Sequence, residues 1–201
     1  MKKAIIGSIV GAIIIFIWQF LSFGLINFHR PAQDYTDKQE AILAFLKEQG
    51  LKEGGYILPN SPATASREEV DAAMKASDGK PGARVEYHNK VANNANAMMM
   101  NMIRGLLVNI VMVLLFCWII GKMTAPRFGT IAASAVAVGL IAFLNEPYTN
   151  FIWYKTFDIW ASLLDAIVAW GLTGLWLGWW LRRGRPAMST VRIGEREKEL
   201  A

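Results

Sequence analysis

The chain has 201 residues, of which 54% are hydrophobic, with 8 Trp, 10 Phe and 9 Met, and it carries a net charge of +5. That is too apolar for an ordinary soluble domain, and the apolar residues are blocked into long runs, which points to a multi-span membrane protein. The positive charge does not point to nucleic acid, because no basic-aromatic groove or known binding motif accompanies it.

Four runs are candidate spanning helices: residues 4–28, 103–120, 128–144 and 159–181. The expected fold is therefore an all-α membrane protein of four transmembrane helices, with a small α+β insert between the first two. Residues 1–28 open with Met1-Lys2-Lys3 and a long apolar run with no A-x-A cleavage site after it, the pattern of an uncleaved signal-anchor. Gly7-x-x-x-Gly11 is a small-residue pair that lets a second helix approach. Gln19 lies in the outer half of this span, as interhelical glue or as a ligand contact.

Residues 29–102 read as a compact soluble insert. Thr36-x-x-Gln39 has the form of a capping box opening a helix, with Ile42, Leu43 and Leu46 as its apolar face and Gly50 as its stop. Tyr56 to Pro59 is a strand candidate. Ser66-x-x-Glu69 is a second capping box, and Asp78-Gly79 is a turn. Ala83 to His88 alternates as a second strand. About 75 residues without a disulfide make a marginal domain, so the insert is expected to lean on the membrane helices or on a partner. The single cysteine, Cys117, falls inside the second span, so no intramolecular disulfide forms.

Residues 103–181 hold the remaining three spans. The stretch from Ala92 to Leu107 has no helix breaker, so the second helix is expected to begin before its apolar run, with Arg104 near the outer interface. The third span is rich in Ala and Gly, and Asn145-Glu146-Pro147-Tyr148 is expected to open an outer connection whose Tyr148, Phe151, Trp153, Tyr154, Phe157 and Trp160 form an interfacial aromatic belt. The last span carries Asp165 and, on the opposite face at 100° per residue, Gly171, Gly174 and Gly178. Residues 182–201 form a short charged tail.

Charge asymmetry sets the orientation. The N-terminus, the 121–129 turn and the tail carry ten basic and three acidic residues, against 11 basic and 13 acidic elsewhere. The positive-inside rule then places both termini in the cytoplasm of a bacterial inner membrane and the insert in the periplasm.

The chemistry-bearing candidates cluster toward the outer leaflet: Asp165, with Gln19, Arg104, Asn109, Glu146 and His29. A carboxylate within a span is costly unless paired or protonated, and Arg104 is the expected mate of Asp165, with Glu146 competing for it. Two readings stand side by side: a structural ion pair that locks helix register, or a site that binds or moves something. His29 and His88 could join Met98, Met99, Met100 and Met102 around Cu(I), but the spacing matches no standard site and adaptable packing explains the methionines, so neither metal nor cofactor is expected. No G-x-S-x-G, H-E-x-x-H, Walker A or G-x-G-x-x-G occurs.

Several short motifs coincide with one family. The first span ends Trp18-x-x-x-Ser22-Phe23-x-x-x-Asn27-Phe28-His29. Tyr56-x-Leu58-Pro59 lies in the insert, Arg104-Gly105-Leu106-Leu107 opens the second span, and an Asp-containing last helix reads Trp170-Gly-Leu-Thr-Gly-Leu. The chain resembles a family of uncharacterised bacterial four-span inner-membrane proteins, where Pro-Trp-His often stands in place of Asn27-Phe28-His29. The resemblance implies the topology, draws attention to His29, Arg104 and Asp165, and carries no activity. The expected role is non-catalytic: an accessory or scaffold subunit of a membrane assembly, or a homo-oligomer, with the bilayer and other membrane subunits or itself as partners. The alternatives are a small-molecule, lipid or ion binder or transporter at the Asp165 region, and an intramembrane enzyme.

Overall fold

The computed structural model describes residues 2–183, so the arginines and glutamates expected to orient the tail beyond Arg183 lie outside the described residues. The protein is mostly helical and holds four helical stretches long and apolar enough to cross a membrane: Lys2–Leu25, Ala95–Gly121, Phe128–Trp153 and Ile159–Arg182. At ~1.5 Å rise per residue each exceeds the ~30 Å of a hydrocarbon core. Residues Tyr35–Met98 form a separate compact unit.

Helix α1 (Lys2–Phe20) passes into a π-helical turn, Leu21–Leu25. It stops short of the expected residue 28 because Asn27 takes φ 55°, a left-handed conformation that Asn tolerates better than most residues and that a helix cannot contain. A one-turn 3-10 helix, Arg30–Ala32, follows.

In the insert, α2 (Gln39–Glu48) starts later than expected. Thr36 forms no capping box: its hydroxyl accepts from the Lys38 N–H at 3.3 Å, and Gln39 is already the first helical residue, too early to reach back. Gly50, at φ 68°, ends the helix as expected. Strands β1 (Gly54–Leu58) and β2 (Ala83–Tyr87) pair antiparallel with Tyr56 opposite Val85. Between them, α3 (Arg67–Ser77) begins with the full Ser66–Glu69 capping box, both reciprocal hydrogen bonds being present. Helix α2 buries no residue, and Ile42 and Leu43 stay exposed.

Helix α4 (Ala95–Gly121) begins eight residues before its apolar run. Asn94 starts it, its side-chain oxygen accepting from the Ala97 N–H at 2.9 Å. Helix α5 (Phe128–Phe143) does not open into a loop at Asn145. It continues through a π-turn, Leu144–Tyr148, into α6 (Thr149–Trp153). The wider turn absorbs Pro147, which lacks an N–H, and the Thr149 hydroxyl donates to the Leu144 carbonyl at 2.8 Å. The non-helical connection therefore shrinks to residues 154–158, and within it and beside it Trp153, Phe157 and Trp160 are exposed as an aromatic belt requires.

Helix α7 (Ile159–Arg182) lies between α1 and α5 and packs on both. Toward α5 its backbone comes close: a Cβ at Gly174 would fall 2.6 Å from Ala135 Cβ, and one at Gly178 would fall 2.9 Å from the Phe128 ring. Gly139 on α5 makes the reciprocal approach, lying against Trp170 and the Ala166 carbonyl. Gly171 does not share this role, since its nearest neighbour, Val136, would sit 3.8 Å from an added Cβ. Toward α1, α7 runs antiparallel, held by three side chains that donate to backbone carbonyls of α1: Thr173 to Gly11 at 3.3 Å, Trp176 to Gly7 at 3.2 Å and Trp180 to Lys3 at 2.8 Å. Gly7 and Gly11 make room, their would-be Cβ atoms meeting Trp180 and Val113 at 2.9 Å. Ile15, Val113, Phe116, Ile131, Ala135, Trp170 and Leu177 fill the centre.

Candidate functional site

Because Asp165 and Gly174 stand half a turn apart on α7, packing the glycines on α5 turns Asp165 toward α1. There both of its oxygens are engaged. Its Oδ1 accepts from Trp18 Nε1 at 2.9 Å and from the Ser22 hydroxyl at 2.6 Å. Its Oδ2 lies 3.0 Å from His29 Nε2. Trp18 on α1 and Ser22 on the π-turn that continues it are four residues apart, so one continuous helical stretch supplies both donors.

His29 reaches the same carboxylate from beyond the helix. The π-turn and the left-handed Asn27 fold the chain back, with the Phe28 N–H bonded to the Ser22 carbonyl at 2.9 Å. The ring then stacks on Phe23, with centroids 3.8 Å apart and planes 4° from parallel. His29 is 2% exposed, and its Nδ1 lies 2.7 Å from Asp158 Oδ2. Asp158 immediately precedes α7, two turns before Asp165. One imidazole thus bridges two carboxylates, each with a side chain 18% exposed.

Each ring nitrogen of His29 faces one carboxylate oxygen, and the donor and acceptor roles in the two contacts follow the tautomer of the ring. Every polar atom of His29 and Asp165 is occupied. Close by in the chain, Asn27 Oδ1 is buried and has no hydrogen-bond partner.

The other candidates fall elsewhere. Arg104 is exposed on α4 and makes no ion pair among the described residues, so the mate of Asp165 is His29 and not Arg104. The helix register explains this: the buried face of α4 carries Asn109, Val113, Phe116 and Ile120, and Arg104 lies off it. Glu146 is also exposed, and it accepts from Asn150 Nδ2 at 2.6 Å rather than competing for a cation. Asn109 and Gln19 meet each other, Asn109 Nδ2 donating to Gln19 Oε1 at 2.9 Å across α4 and α1. His88 faces Glu53 at 3.5 Å on the insert. Met98, Met99, Met100 and Met102 are exposed, and among the described residues no group of three or more His, Cys, Asp or Glu converges as a metal site.

Comparison with family models, curated proteins and solved structures gives no match. The site is therefore read from its own geometry. Asp158, Trp18, Ser22 and Phe23 were not among the sequence candidates for it. A signal existed, since Asp158 and Asp165 are spaced seven apart and Trp18 and Ser22 four apart. Nothing local linked the two aspartates to Trp18, Ser22 and Phe23, or to a histidine that lies well over a hundred residues before them in the chain.

Proposed function

We propose that this is a non-catalytic, multi-pass inner-membrane protein, both termini cytoplasmic, that acts as an accessory or scaffold subunit of a membrane assembly or as a homo-oligomer. The observation that carries this reading is the closure of the polar cluster. His29 spends both ring nitrogens inside the chain, where Asp165 accepts on both of its oxygens, so the imidazole has no free nitrogen to act on a substrate as a general acid or base. What the cluster does is tie the end of α1 to the start of α7. A polar clasp of this kind defines one helix register in an apolar surround where dispersion alone discriminates poorly.

The uncovered helix surface supports an assembly. Less than a third of the apolar window of each long helix is buried within the chain. On α4, Gly105 faces open space, a small residue of the kind that lets another helix approach.

The test is purification of the tagged protein in native nanodiscs, with native mass and mass spectrometry of what accompanies it. Stoichiometric foreign subunits or a defined homo-oligomer is the expected result. A bare monomer carrying a reproducible small ligand would overturn the reading.

A further inference from the structure

The clasp also has the form of a host with its guest. The guest is a planar ring with a nitrogen on each of two opposite edges. The host has a carboxylate at each edge, at 2.7 and 3.0 Å, and an aromatic floor, Phe23, parallel to the ring at 3.8 Å. We propose that Phe23, Asp158 and Asp165 form a receptor for a small planar cation with divergent N–H donors, of the imidazolium, amidinium or guanidinium class, and that His29 is its tethered and exchangeable occupant. This goes beyond the scaffold role, which needs only that the clasp be closed.

Charge and shape select the guest. Without the imidazole, two carboxylates face one slot. The two donors from Trp18 and Ser22 both fall on Asp165 Oδ1, leaving Oδ2 open. Among the described residues no other cation pairs with either carboxylate: Arg104 is exposed elsewhere, and Arg30 lies 4.0 Å from Asp34. A bare metal ion would need both oxygens within about 2.0–2.6 Å of one centre. The carboxylates are instead held apart by the width of a ring and two hydrogen bonds. A quaternary ammonium could lie on Phe23 but has no N–H for either carboxylate. A guanidinium supplies both the flat face and the in-plane donors.

Two residues before His29, Asn27 sits at φ 55° and leaves its side-chain oxygen buried without a donor.

The experiment uses the full chain in nanodiscs with His29→Gly. Imidazole, methylguanidinium, tetramethylammonium and sodium chlorides are added in turn at equal ionic strength. The readout is the labelling rate of Cys117, the single cysteine, which is buried in the bundle. The variant should label faster than the parent. Imidazole and methylguanidinium should slow it saturably, by about tenfold when present at ten times their Kd. Tetramethylammonium and sodium should not, and adding Asp165→Asn should abolish the response. An equal response to all four salts, or none, overturns the proposal. If His29→Gly does not fold, the parent protein with 15N-labelled histidine decides. Methylguanidinium should shift the His29 ring resonances saturably, and no shift overturns the proposal.

Discussion

Replacing Asp165 by Ala removes three contacts at once: those from the Trp18 Nε1–H and the Ser22 hydroxyl, and the one with His29 Nε2. The Ser22 hydroxyl can turn to a backbone carbonyl, but the indole N–H and the buried imidazole cannot. Removing one partner from a buried charged pair costs about 3–5 kcal/mol. Asp158 has the same side-chain exposure but a single bond to His29, so Asp158→Ala should cost about 1.5–3 kcal/mol. A double-mutant cycle between His29→Ala and Asp165→Ala should return a coupling of about 1.5–3 kcal/mol, and one between Arg104→Ala and Asp165→Ala no more than about 0.5 kcal/mol. The measurement is thiol labelling of Cys117, which at 4% exposure reacts only when the bundle opens. At about 1.4 kcal/mol per decade, Asp165→Ala should speed labelling by roughly two to three and a half orders of magnitude. A cycle in which Arg104 couples to Asp165 and His29 does not would refute the site described above.

Further tests address the packing around it. Gly174→Ala should destabilise the bundle by about 1–3 kcal/mol, since its Cβ meets Ala135 and the Ala132 backbone. Gly171→Ala, in open contact, should be neutral or stabilising by up to about 1 kcal/mol; the same labelling assay separates the two. Asn109→Ala should cost about 0.6–2 kcal/mol and lose most of that penalty when Gln19 is changed to Leu, as their hydrogen bond requires. In the insert, Ser66→Ala should weaken α3 by about 1 kcal/mol, seen as faster amide exchange confined to its first turn.

Local features were legible in the sequence where local physics decides them. Four apolar blocks gave four long helices, because length and hydropathy suffice to identify such segments. The Ser66 box, the Gly50 stop and both strands were readable because capping and alternation act within a few residues. The opposition of Asp165 to the glycines followed from the helical repeat alone. The departures have local causes of their own. Asn27 broke α1 early by entering the left-handed region, and Pro147 was carried inside a π-turn where a chain reading favours a loop.

The identity of Asp165's partner was decided only by the tertiary structure. Charge alone nominated Arg104, the residue of opposite sign at comparable depth. The choice in fact depends on which face of α4 packs inward, and on how the π-turn and Asn27 fold the end of α1 back onto α7. Those are long-range outcomes of packing, in which small residues such as Gly7, Gly11 and Gly174 set how closely the helices approach. The sequence determined that an ionisable group sits within an apolar helix and must be satisfied. Only the folded bundle determined that an imidazole, stacked on Phe23 and shared with Asp158, satisfies it.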